Sequence, residues 1–166
     1  PDVNAIVSTY FKAKADGDVD ALREVVSVLD DTEADSVTKM AEHIESYNNI
    51  ACFTKNGPEM GSYVAYVCYD IKFVNVDTTA PSLTLLYICT AADGSLYVNN
   101  GEWDAQSESV INEFNSGSDV QALIVQVESS YNEALAQDEK LSNLASTIQS
   151  ASQAPEEEEP AQTEEE

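Results

Sequence analysis

Two long segments rich in β-branched and aromatic residues, 62–76 and 82–91, are separated only by Asp77 to Pro81. In the first, the odd positions Tyr63, Ala65, Val67, Tyr69, Ile71 and Phe73 are all apolar or aromatic, whereas the even ones include Asp70 and Lys72. Side chains alternate across a strand, so this pattern predicts a strand with one core face and one mixed face. In the second segment the same alternation groups Leu83, Leu85, Tyr87 and Cys89. A five-residue link is too short for a parallel crossover, so the two strands must be antiparallel neighbours. Turn residues extend the meander in both directions. Residues 44–55 end at Asn56-Gly57-Pro58, and Asp93-Gly94 leads into Leu96-Tyr97-Val98, which Asn100-Gly101 closes. A sheet of this kind needs cover for its apolar face, and the flanking sequence must supply it.

That cover is predicted to be helical. Val3, Ile6, Val7 and Tyr10 recur at i, i+3, i+4 and i+7, the spacing of one helix face. Gly17 stops this helix, and Asp18 can cap a second with Val19, Leu22, Val25 and Val26 inward. A third is expected from about residue 35 to residue 42, carrying Val37, Met40 and Ala41 inward. After the sheet, residues 107–114 suggest a short helix. Asp119 is placed to cap a long one whose stripe is Val120, Leu123, Ile124, Val127, Tyr131, Leu135 and then Leu141. The expected class is therefore α+β, with N-terminal helices packed on a curved antiparallel sheet and a C-terminal helical extension. Residues 1–150 form the domain. Residues 151–166 form a disordered acidic Pro/Glu tail or linker, because they repel one another and have nothing to bury.

Charge narrows the function. The chain of 166 residues has 31 Asp and Glu against 7 Lys and Arg, a net charge of -24. Nucleic-acid backbones are held by basic side chains, so this is not the composition of a nucleic-acid binder. An anionic membrane surface is disfavoured for the same reason, and no apolar run has the length of a membrane span. Low lysine content, strong acidity, the Pro/Glu tail and a start at Pro1 rather than Met together suggest a bacterial extracytoplasmic protein, secreted or tethered to the cell surface, from which an upstream segment was removed.

The run from Tyr10 through Phe11, Gly17 and Asp18 to Leu22 pairs aromatics at the end of one helix with a Gly-Asp break and an Asp-x-x-x-Leu second helix. With the long strands that follow, it resembles the NTF2-like (cystatin-like cone) superfamily over about residues 3–104. Residues 105–150 depart from the minimal family. Their Asp119-Val120 opening and Tyr131-Asn132-Glu133-Ala134-Leu135 segment resemble uncharacterised extracytoplasmic members from Gram-positive bacteria. The resemblance implies a cone-shaped sheet. Its members range from isomerases and dehydratases to binding modules without chemistry, so it does not choose a function.

Few residues carry chemistry. His43 is the only histidine, which excludes a His-His metal pair; as a general base it is a weak candidate, lying at a helix-strand junction between Glu42 and Glu45. Asp70, the one acid within the long strand, is the other weak catalytic candidate, but it lies on the mixed face with Lys72. Asp16, Asp18 and Asp20 copy the start of a calcium loop, yet Ala21 and Ser27 stand where its Gly and bidentate Glu belong. No phosphate-loop or dinucleotide motif occurs, so neither a cofactor nor a metal is expected. Cys52, Cys68 and Cys89 have no metal spacing and are expected to remain free thiols. Cys89 is expected to point inward and Cys68 outward. Cys52–Cys68 is the one pairing that geometry would allow, if Cys52 also points outward.

The remaining candidates are aromatic. Tyr10, Tyr63, Tyr69 and Tyr87 are expected to converge inside the cone, where they could line a ligand pocket or simply fill it. The leading expectation is a non-enzymatic extracytoplasmic binding or interaction module for a small-molecule or protein ligand. The alternatives are an isomerase- or dehydratase-type enzyme using the tyrosine-lined cone, and a structural spacer. The spacer would form a homodimer across the mixed sheet face, where Tyr66, Val74 and Val76 are apolar.

Overall fold

A computed structural model describes residues 2–152. Helix α1 (Val3–Asp16) starts at Asp2, whose carboxylate accepts the amides of Asn4 and Ala5. It ends at Gly17, left-handed at φ 66°, where an added Cβ would meet the Ala41 Cβ at 3.0 Å. Asp18 then caps α2 (Val19–Val25) through the Ala21 amide. Helix α3 (Asp31–Ala41) begins four residues earlier than the apolar spacing suggested. The acidic run before it is a capping box: Asp30 accepts the Glu33 amide and Glu33 accepts the Asp30 amide.

Four strands follow, β1 (Ile44–Asn56), β2 (Tyr63–Phe73), β3 (Ala80–Thr90) and β4 (Leu96–Val98). They form one open antiparallel sheet in sequence order. At one edge, β4 is continued by a parallel bridge from Val26 to Val98 and by the Ser27 amide donating to the Val98 carbonyl at 2.9 Å. At the other edge, β1 is kinked by register shifts beside Glu45 and before Ala51. Asn49 takes φ 53° in the second shift, and its side-chain amide donates to Asp70 at 2.8 Å.

The C-terminal chain forms α4 (Ala105–Ser116), α5 (Ser118–Gln137) and α6 (Glu139–Ser152). The long apolar stripe is thus divided between two helices. Asp138 leaves helical geometry and its carboxylate accepts the Lys140 and Leu141 amides, starting α6. Asp119 is not the cap of α5, which starts one residue after Gly117; it accepts the Val120 amide from inside the first turn and binds Lys55 of β1 at 2.7 Å. Helix α6 runs to Ser152. The rest of the expected tail lies outside the described residues.

Both sheet faces are covered. Ile6, Val7, Phe11 and Leu22 from α1 and α2 pack on Ala65, Val67, Leu86 and Ile88. On the opposite face, Ile111 and Val120 from α4 and α5 pack on Val64, Tyr66, Tyr87 and Cys89. A third cluster joins Ile44, Phe73, Val76 and Ala80 to Ala134 and Leu141. The even face of β2, read from sequence as mixed, is therefore core in its first half, where Val64 is fully buried and Tyr66 is 3% exposed; of the three apolar residues expected at a dimer face, Val76 is buried in the connection beyond β2 and only Val74 is exposed.

The pairing register explains the difference. Tyr63 stands opposite Ile88 and Tyr66 opposite Leu85, so odd residues of β2 share a side with even residues of β3. Cys68, opposite Leu83, faces the same way as Cys89, contrary to expectation, though several residues away along the strands. Cys52 stands opposite Val67 and takes the α1 side. All three thiols are free.

Candidate functional site

Between the β2–β3 hairpin and the C-terminal helices lies a cavity of about 700 Å³. Strand β2 contributes Tyr66, Tyr69, Ile71 and Phe73, and β3 contributes its first turn of chain, from Ala80 to Leu83, together with Leu85. Alternation puts Tyr66 and Tyr69 on opposite sheet faces, so the cavity wraps around the end of the sheet. Helix α5 supplies Ile124, Val127, Glu128 and Tyr131, whose spacing places them along one side of the helix. Helix α6 supplies Leu141, Ala145 and Ile148. Asp138 sets the angle of this wall: besides starting α6, it accepts the Thr78 amide in the β2–β3 connection. Hydrogen bonds from Leu141, Thr78 and Lys140 outweigh its desolvation and hold its carboxyl below the usual range.

Polar groups in the wall are mostly occupied. The Tyr69 hydroxyl shares a 2.8 Å hydrogen bond with Thr84, and the Tyr66 hydroxyl donates to Asn115 at 2.6 Å. Burial raises the pKa of both phenols, for Tyr69 against the opposing Thr84 bond and for Tyr66 with further help from the charge of Asp119. Both therefore remain protonated at neutral pH and are not bases. Among the described lining residues Glu128, which is exposed, is the only carboxylate, and none is His, Cys, Lys or Arg. The arrangement pairs no nucleophile with a base. What it can do is enclose an apolar body. Among the described residues no three His, Cys, Asp or Glu side chains gather as metal ligands.

The residues singled out from the sequence are dispersed. Tyr10 and Tyr69 both pack edge-on or tilted against Phe11, with ring centroids 5.3 and 4.5 Å from it. Tyr47, which the sequence reading passed over, joins the same group at 5.3 Å from Phe11 and 5.5 Å from Tyr69. Tyr63 lies at the far end of β2, and Tyr87 faces α4 on the other side of the sheet, 5.5 Å from Trp103. Of the four tyrosines, only Tyr69 lines the cavity. His43 is exposed between α3 and β1, its carbonyl accepting the Val74 amide. Asp70 is half-buried and is engaged by Asn49 at the bulge. The signal for the actual lining was the α5 stripe, since a helix with so long an apolar face requires an apolar surface opposite it.

Tyr87 makes a separate point. It is 2% exposed, and its hydroxyl lies near those of Ser62 and Ser107 without completing a hydrogen bond to either. A buried donor without a partner costs stability. Tyr87→Phe, which keeps the Trp103 contact, is therefore expected to leave the protein as stable or to stabilise it by up to about 1 kcal/mol in urea unfolding. A loss of that size would mean that the hydroxyl is satisfied.

Comparison of the chain with protein-family models, with curated proteins and with solved structures gives no match.

Proposed function

We propose that the chain is a non-enzymatic binding module that holds an apolar ligand between the β2–β3 hairpin and helices α5 and α6. The observation that carries this reading is the cavity of about 700 Å³ itself, within the size range that takes a small organic molecule. Its walls are aliphatic and aromatic, the hydroxyls of Tyr69 and Tyr66 are already bonded to Thr84 and Asn115, and the one carboxylate among its described lining residues is exposed. An acid or base for isomerase or dehydratase chemistry would need a buried carboxylate or histidine beside the ligand. Membership of the NTF2-like superfamily belongs to the same proposal. The Phe11–Gly17–Asp18–Leu22 pattern and the order of helices before long antiparallel strands support it. So does an extracytoplasmic location, supported by the net charge of -24 and the low content of basic residues.

The test is fluorescence of N-phenyl-1-naphthylamine, an uncharged probe that brightens in apolar surroundings. The native chain should enhance it saturably. Ala145→Trp, which places an indole in the space beside Leu141 and Ile148, should abolish the enhancement while leaving the far-UV circular dichroism unchanged. Equal enhancement by the folded variant would place the probe elsewhere and reject the site.

A further inference from the structure

The charge around the cavity narrows its ligand further; this step rests on the binding reading above. Among the described lining residues only Glu128 carries a formal charge. It is exposed, while Ile124 one turn before it and Tyr131 nearly one turn after it are half-buried in the wall, so its carboxylate stands at the mouth. The helices around that mouth repeat its sign: α4 carries Glu108 and Glu113, and α5 carries Asp119 and Glu133, with no Lys or Arg in either. Basic groups adjoin other parts of the wall: the Lys72 ammonium donates to the Phe73 and Val76 carbonyls and pairs with Glu45, exposed Lys39 and Lys140 neighbour Met40 and Leu141 along the chain, and Lys55 is committed to Asp119. In a protein of net charge -24, the field at such an opening favours cations over anions.

We propose that the cavity takes a cationic amphiphile, its apolar body between β3 and α5 and its ammonium group beside Glu128. Apolar contact supplies the affinity, and it is common to any chain of the same length. The headgroup decides between ligands: an ammonium gains attraction at Glu128, an alcohol gains nothing there, and a carboxylate meets like charge.

The experiment displaces bound N-phenyl-1-naphthylamine from the full chain with dodecylamine, dodecanol and dodecanoate, each below its micellar range, at low and at high salt. Dodecylamine should displace the probe at about tenfold lower concentration than dodecanoate, with dodecanol between them, and the gap should shrink at high salt. Glu128→Gln should move dodecylamine towards dodecanol and leave dodecanol unchanged. Dodecanoate displacing as well as dodecylamine would overturn the cation preference while the binding reading stands. A preference that survives Glu128→Gln in full would overturn the assignment to this carboxylate. Dodecylamine binding equally to the native chain and to the Ala145→Trp variant in isothermal titration calorimetry, which needs no bound probe, would reduce the effect to adsorption on an acidic surface and overturn it as well. Failure of dodecanol to displace the probe would reject the binding reading itself.

Discussion

Phe11→Ala is expected to lower the unfolding free energy by about 3–5 kcal/mol. Phe11 is 1% exposed, it packs into the cluster formed by α1, α2 and the sheet, and three tyrosine rings lie within 5.3 Å of its centroid. Truncation removes the apolar surface and the aromatic contacts together, and the backbone of a helix capped at both ends by Asp2 and Gly17 cannot move in to fill the space. Typical domains are stable by about 5–15 kcal/mol, so this one change removes a large share of the total. Urea unfolding followed by circular dichroism measures it. A cost near 1 kcal/mol would mean that the aromatic group around Phe11 is not close-packed.

The second large effect is expected at Leu141→Asp. Leu141 is fully buried among Phe73, Ala80 and Ala134, and it is the residue through which α6 closes both the third core cluster and one wall of the cavity. That cluster is apolar, and Lys72, whose ammonium reaches the Phe73 and Val76 carbonyls at its edge, is already paired with Glu45, so a carboxylate at position 141 is desolvated at high cost. The expected cost is several kcal/mol, enough to detach α6 and to eliminate probe binding in the same titration. Deleting residues 139–166 should reproduce both losses. If instead the variant melts within about 2 °C of the native chain, a shift that corresponds to at most about 1 kcal/mol at this size, α6 is an appendage and the cavity wall is not part of the domain.

Much of this architecture was legible because its causes are local. Gly17 ends α1 since only a residue tolerant of positive φ lets the chain turn towards α2 so close to Ala41. Asp18 caps α2 through an amide three residues on. The alternation in residues 63–73 and 80–90 is a property of extended backbone and survives in the structure as two long paired strands. The stripe from Val120 to Tyr131 likewise shows as a helix packed on β3. Two local errors have local reasons. The start of α3 is invisible to apolar spacing because its first turn is acidic, with Asp30 and Glu33 capping each other. The break at Asp138 was missed because Leu141 continues the apolar spacing of α5.

The candidate site was barely legible, and the reason is pairwise. Alternation states which residues of one strand share a face; it does not state which face of the neighbour they meet. That depends on the register across the β2–β3 connection, where a shift of one residue exchanges every side chain of a strand between faces. Reading the odd residues of both strands as one interior put Tyr87 beside Tyr63 and Tyr69, and set Cys68 and Cys89 apart. The register with Tyr63 opposite Ile88 does the reverse. By itself the sequence determined the first two helices with their Gly17 and Asp18 boundaries, the long strands, the α+β class and the acidic character, each of which follows from spacing or composition within a few turns of chain. The tertiary structure alone decided that both faces of the sheet are covered, that α6 folds around the end of the hairpin, and that the cavity opens beneath α5 with Glu128 at its mouth, because each of these depends on how distant segments are registered and packed against one another.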